Sequence, residues 1–251
     1  MAKIIILGSA GGVPDVNHEG THLAVISGDK TVLIDCAGNP LARMKQAGIE
    51  LDSIDDLILT HFHPDHVYGV PMLIMGMWLL KRKKPLSVHG LKRTLSRLRQ
   101  TMKLYDWENW PGFYGVNFHE IPARPGKKVL ENSAVRIISS PVVHLIPTIG
   151  LRFEFILEKR SAAYSCDTEP CSSVMKLAQG VDVLIHEAMG EGKGHTSPRQ
   201  AGEMAAKSGA KRLYLIHYPV SISGDEWIKQ ASSTFSGSTI LAEDFMVIEF
   251  K

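Results

Sequence analysis

Six positions constrain this chain more than any others. Within "LTHFHPDHVYG", residues 59 to 69, His61, His63, Asp65 and His66 crowd around Pro64. The cluster follows directly on "DDLILT" (55–60), an apolar run that reads as a buried strand ending where the first histidine begins. His61 and His63 straddle one residue while Asp65 and His66 are adjacent, so a tight loop can turn the first pair toward one cation and the second toward another. A structural zinc site would more naturally use cysteine and fill all four positions with protein ligands. No cysteine is nearby, and nitrogen and oxygen donors suit a catalytic zinc, manganese or iron site.

Four donors do not fill two metals, so more are expected at later strand ends. His144 follows "SSPVV", Asp167 follows "AAYSC" and His217 follows "RLYLI". Each stands where a β-rich run stops.

The rest of the chain interleaves strands and helices. "KIIIL" (3–7), "HLAVIS" (22–27) and "TVLIDC" (31–36) are β-rich and divided by glycine-containing turns. "NPLARMKQAG" is a short helix with Asn39 as N-cap, Pro40 at its first position and Gly48 past its end. "LSVHG", "VNFHEI", "AVRIIS", "GLRFEFIL", "SAAYSC", "DVLIHEA" and "RLYLIHY" read as further strands. Between the last two, "SPRQAGEMAAKSG" is a helix capped by Ser197, with Pro198 first, Gln200 closing a capping box and Gly209 as terminator. With no repeat and no low-complexity linker, the pattern predicts a layered α/β fold over residues 1–251 as one domain.

Composition narrows the class. At 251 residues and 44% hydrophobic content the chain has room for a large core. "MAKIIILGSAGG" has too short an apolar run for a signal peptide, and "PMLIMGMWLL" falls far below the roughly 18 to 20 apolar residues of a membrane span. A cytoplasmic protein with no membrane partner is expected. Cys36, Cys166 and Cys171 form no C-x-x-C pair and read as buried free thiols without chemistry.

The formal net charge is only +2, but eight Lys or Arg fall between positions 81 and 99. That stretch is either a solvated helix face or a patch for phosphate backbones. "YDWENWPGFYG" (105–115) either roofs a site, stacks bases or packs as an inserted cap. "GSAGG" (8–12) lacks phosphate-loop spacing and reads as a strand-end turn. His18, His22, His89 and His119 receive no role, although His22, after a glycine-rich turn, is the best placed of them to meet a substrate.

Taken together, "THFHPDHVYGVP" (60–71), "VVHLIPTIGLRFE" (142–154), "YSCDTEP" (164–170), "VLIHEA" (183–188), "GHTSPRQAGEMA" (194–205) and "LYLIHY" (213–218) resemble the metallo-β-lactamase superfamily. "LGSAGGVP" (7–14) and the HEA and HTS elements resemble its ribonuclease Z branch. The resemblance implies an αββα four-layer sandwich with two divalent metals, zinc before manganese or iron, at one edge of the facing sheets. It implies that His61, His63 and His144 hold one metal, that Asp65, His66 and His217 hold the other, and that Asp167 bridges them. Such a pair can activate a bridging hydroxide and neutralise a phosphodiester. Asp65 can also accept a proton from that nucleophile. The leaving alkoxide needs a proton in turn, and the resemblance gives that role to His195, with Glu187 orienting it. His186 then orients a neighbour or packs. A homodimer is a further implication.

The resemblance has one departure. Long-arm members of the branch carry a transfer-RNA-binding insertion between the positions matching His144 and Asp167, and here the two are only 23 positions apart. RNA would then be held another way, through the 81–99 stretch or a second subunit. Otherwise the substrate is a smaller phosphodiester, cyclic ones included, or another ester or thioester. A nucleic-acid-binding protein without turnover is the third possibility, and it predicts that Asp167→Ala leaves function intact. Fold alone does not choose among these.

Overall fold

The isoleucines of the opening strand serve two cores at once. In β1 (Ala2–Gly8) of the computed structural model, which describes all residues Met1–Lys251, Ile4 and Ile6 face the space between two sheets, and Ile5 and Leu7 face helices. A strand covered on both sides reads as a continuous apolar run rather than an alternating one. That is why "KIIIL" carries no polar break.

The chain continues through β2 (His22–Ser27), β3 (Lys30–Ile34), α1 (Pro40–Gln46), β4 (Ile54–Leu59), α2 (Pro64–Val67), α3 (Val70–Leu79), β5 (Leu86–Leu91), α4 (Lys92–Lys103) and β6 (Val116–Ile121). Then follow β7 (Lys127–Glu131), β8 (Val135–Val142), β9 (Thr148–Phe155), β10 (Arg160–Tyr164), α5 (Ser172–Leu177), β11 (Val183–Glu187), α6 (Pro198–Ser208), β12 (Arg212–Ile216), α7 (Gly224–Ser232), β13 (Ser238–Leu241) and β14 (Val247–Phe250).

Two seven-stranded sheets result, ordered β14-β1-β2-β3-β4-β5-β6 and β13-β12-β11-β10-β9-β8-β7. Their inner faces share one apolar core, which includes Ile34, Ile58, Phe153, Tyr164 and Ile216. Helices α1, α3 and α4 cover the outside of the first sheet, and α5, α6 and α7 that of the second. The layers are therefore αββα, the architecture that the sequence motifs imply.

Strand direction positions the site. β3, β4, β5 and β6 run parallel, as do β10, β11, β12 and β13. In both sheets the parallel strands end at one edge, where loops rather than ladders continue the chain. Ligand sites gather outside such carboxyl ends.

The local helix signals hold. Asn39 caps α1 by accepting from the Ala42 amide, and Ser197 and Gln200 complete a reciprocal capping box on α6, which Gly209 ends at φ 69°. The sequence reading of strands lacks β7, β13 and β14, short strands that mix exposed and covered positions, and it extends β3 and β10 too far. Asp35 and Cys36 have already left β3, as Ser165 and Cys166 have left β10.

The 105–115 stretch does not roof the strand ends. Tyr114 bridges to α3, Trp110 stacks on Trp78 at 4.8 Å, and Trp107 is buried under α4. The segment feeds into Val116, paired with Leu86 at the start of β5 and so at the opposite end of the strands. It is packing, not a lid. Cys36 and Cys166 are buried thiols as expected, whereas Cys171 is partly exposed.

Candidate metal centre

Five chain segments bring their polar residues to the same edge. His61 and His63 follow β4, Asp65 and His66 sit on the short α2 that Pro64 opens, His144 follows β8, Asp167 follows β10 and His217 follows β12. The donor atoms of His61, His63, His144 and Asp167 all lie within 4.8 Å of one another, and so do those of Asp65, His66, Asp167 and His217. All seven residues named from the sequence are brought together, in the two groups that the resemblance implies.

The imidazoles are aimed by their other nitrogens. Asp35 Oδ2 lies 2.9 Å from His66 Nδ1, and the Gly194 carbonyl lies 2.7 Å from His144 Nδ1. Both partners are acceptors, so each Nδ1 carries the proton and each Nε2 presents a lone pair. Thr60 Oγ1 donates to Asp35 and Thr21 Oγ1 donates to the Ala10 carbonyl, which leaves each hydroxyl to accept from His61 Nδ1 and His217 Nδ1 at 3.1 Å. Four histidines are thereby fixed as Nδ1–H tautomers with bare Nε2 atoms turned inward. His63 Nδ1 stands 3.1 Å from the Nε2 atoms of both His61 and His144.

Such converging lone pairs repel one another unless a cation lies among them. His66 Nε2 is fully buried and has no hydrogen-bond partner, a costly omission that coordination would remedy. The residues fit a divalent cation in either group.

Asp167 belongs to both groups. Its Oδ2 is 3.2 Å from His217 Nε2 and 3.8 Å from the Nε2 atoms of His61 and His144, while Oδ1 is 3.4 Å from His66 Nε2. Burial works against its charge, but His217, His66 and His61 overcome that and hold the carboxyl well below the usual range. Burial also drives His61, His63, His144 and His217 below the ordinary imidazole value, whereas at His66 the Asp167 and Asp35 carboxylates outweigh burial and raise it well above that value, so a proton competes there for the place a cation would take.

Beside these groups stands a second pair. Glu187 Oε1 accepts from His195 Nδ1 at 3.0 Å and from the Thr168 amide at 2.9 Å, and Oε2 accepts from the Met189 amide at 3.0 Å. Glu187 is fully buried while the His195 side chain remains 22% exposed, so the pair offers one open imidazole edge. The hydrogen bond that His195 donates to Glu187 raises the His195 value against the pull of burial. The His195 ring lies 5.0 Å from that of His144 and 6.0 Å from that of His217.

The backbone here is strained in a consistent way. Asp35, Cys166 and His217 adopt positive φ of 59°, 53° and 54°, each just past the end of a strand that reaches this edge. Left-handed conformations cost non-glycine residues free energy and persist where surroundings over-determine them. Gly194 has φ 82°, and a Cβ there would lie 2.9 Å from His144 Nδ1, so only glycine lets its carbonyl reach that ring.

Sequence reasoning missed the partners that set the tautomers, namely Asp35, Thr21, Thr60 and Gly194. Asp35 offered one signal, as a carboxylate at the end of "TVLID". His22 corrects an expectation: it is buried, bound through Nδ1 to the Gly20 carbonyl at 2.8 Å, and cannot meet a substrate. His186 is fully buried and bonds the Glu187 carbonyl, in line with a packing role.

Comparison with known families decides what the arrangement belongs to. The family described as the beta-lactamase superfamily domain matches residues 30–218. The chain belongs to the beta-lactamase superfamily. It is similar to ribonuclease Z of Methanothermobacter thermautotrophicus, with 28% identity over 309 positions that take in 100% of this chain and 97% of that protein. The alignment is longer than the 251 residues here, so the relative carries insertions that this chain lacks. The fold is shared with the Bacillus subtilis metallo-beta-lactamase fold protein YhfI at TM-score 0.84 and 22% identity, over 98% of both chains. It is also shared with the short form of human tRNase Z, at TM-score 0.79 and 22% identity over 99% of both. The chain is thus a ribonuclease Z-like, metal-dependent hydrolase.

Proposed function

We propose that this chain is a phosphodiesterase that cuts RNA, with precursor transfer RNA as its substrate class and two divalent ions, zinc by donor type, as its cofactors. The observation that carries the reading is Asp167, one buried carboxylate within reach of both donor groups. His61, His63 and His144 would hold one ion and Asp65, His66 and His217 the other, with Asp167 between them. Two ions so held supply an activated water and neutralise the charge on a phosphodiester.

The protein's own groups do the rest. Asp65, 21% exposed, is placed to accept a proton from the attacking water, and Glu187 holds His195 in the tautomer whose Nε2 can give or take a proton at the leaving oxygen. The full-length likeness to ribonuclease Z supports RNA over other esters. The core common to both sheets supports reading residues 1–251 as one hydrolase domain. A homodimer and a cytoplasmic location belong to the same proposal, and light scattering tests the first.

One observation favours a second reading, a hydrolase of small phosphodiesters. β9 and β10 are joined by the four residues 156–159 and no arm protrudes between His144 and Asp167. The deciding assay is cleavage of precursor transfer RNA by zinc- and manganese-loaded protein, run beside bis(p-nitrophenyl) phosphate, with Asp167→Ala as control. Cutting at the 3′ trailer, abolished in the variant, supports the RNA reading. Turnover of the small diester alone overturns it in favour of the second.

A further inference from the structure

The outer helix α4 is charged in a way that its own stability does not explain. Its twelve residues, "KRTLSRLRQTMK", carry Lys92, Arg93, Arg97, Arg99 and Lys103 and no carboxylate. All five cations are exposed, and none takes part in an ion pair. Two of them occupy the first turn, where the helix dipole favours acidic residues, and no side chain caps that end. Local rules broken without a local gain point to function.

The position of the helix says what the charge is for. Leu59 of β4 pairs with Gly90 of β5, so two residues further on His61 and Lys92 leave the first sheet from the same edge on neighbouring strands. α4 then runs back over the outside of that sheet for about 18 Å. Lys92, Arg99 and Lys103 line one wall of a groove of about 580 Å³ beside Phe118, with Arg99 stacked 4.2 Å over the Phe118 ring. Glu108 and Glu120 line the same groove, whereas Arg93 and Arg97 lie outside it.

We propose that the exposed face of α4 is the track on which the sugar-phosphate backbone of the RNA docks, entering from the catalytic edge at Lys92. The inference rests on the reading of this chain as an RNA-cutting enzyme and supplies what the missing arm would otherwise do. Charge complementarity commits it to a polyanion, and continuity with the catalytic edge commits it to the substrate rather than to a separate partner.

The test uses Lys92→Gln, Arg93→Gln and Arg97→Gln combined in the full chain. Glutamine keeps helix propensity at exposed positions. A control of equal charge, Lys176→Gln, Lys207→Gln and Lys229→Gln, lies on the helices over the second sheet. Binding of mature transfer RNA, which has no trailer to cut, is followed by fluorescence anisotropy from 50 to 200 mM salt. Phosphatidylserine vesicles are run alongside, and turnover of bis(p-nitrophenyl) phosphate reports on the intact centre.

The α4 variant should bind the RNA about tenfold or more weakly, with the slope of log affinity against log salt reduced by roughly 2 to 3, while the control keeps the wild-type slope. Small-diester turnover should be unchanged in both. Equal slopes for the two variants overturn the proposal, as do binding of vesicles in place of RNA and a wild-type protein that binds no RNA. If RNA binding depends on α4 but the trailer is never cut, the docking track stands and the RNA-cutting reading falls.

Discussion

The carboxylate of Asp35 lies 2.9 Å from His66 Nδ1, with both side chains fully buried and neither adjacent in sequence. Asp35 also accepts from the Thr60 amide and hydroxyl at 2.8 and 2.7 Å, and Thr60 in turn faces His61. One residue therefore orients a member of each donor group.

Asp35→Asn should weaken divalent metal binding by about 10- to 100-fold, the usual cost of losing a partner behind a metal-binding histidine. An asparagine amide placed here must turn its NH₂ toward Thr60 or His66, and both already present donors. Isothermal titration of the metal-free protein with zinc reads the loss directly. Unchanged affinity in a folded variant would show that Asp35 sets no tautomer.

Removing the ions should lower thermal stability as well as activity. An ion that binds only the folded chain adds about 2.7 kcal/mol when its free concentration is 100 times its dissociation constant. For a chain of this length that is roughly 5 to 11 °C in Tm. Calorimetry with and without chelator, then with zinc restored, checks this. Asp167→Ala should remove most of the zinc-dependent part, because it takes a donor from both groups.

Much of this centre was legible because its residues cluster in sequence or stand at strand ends. Pro64, between His63 and Asp65, marked the turn, and the unbroken "DDLILT" marked the strand that feeds it. What was not legible joins residues far apart in sequence. Thr21 aligns His217 over a separation of 196 residues, and Gly194 aligns His144 over 50. A threonine beside a histidine has no sequence pattern when the two come from different sheets. The aromatic stretch stayed open between roofing, stacking and packing for a related reason. Composition shows that Trp107, Trp110 and Phe113 pack somewhere, and only topology shows that β6 starts at the end away from the metals.

His195→Ala should lower kcat on RNA by about 10²- to 10⁴-fold, the range for loss of a general acid or base. The same variant should lose far less on bis(p-nitrophenyl) phosphate, whose phenolate leaves without a proton. Glu187→Gln should follow the same pattern to a smaller degree, since it weakens the hold on Nδ1 without removing the ring. Equal losses on both substrates would assign His195 to structure rather than to the leaving group.

Acid should unfold the metal-free protein through buried histidines that play no part in the chemistry. Burial pushes His22 and His186 down from 6.5 to about 4, and His186 Nε2 is buried with no partner to receive a charge. Both stay neutral in the fold while the unfolded chain takes up protons below about 6.5. Stability should accordingly fall as pH drops from about 6.5 to 4, and then level off for these two groups. Each contributes on the order of 3 kcal/mol across that window, at about 1.4 kcal/mol per pH unit. Urea unfolding of chelated protein between pH 7 and 4 should give a slope that His186→Leu reduces by about one proton. A variant with the wild-type slope would mean that His186 is already protonated in the fold and that its buried Nε2–H has found an acceptor.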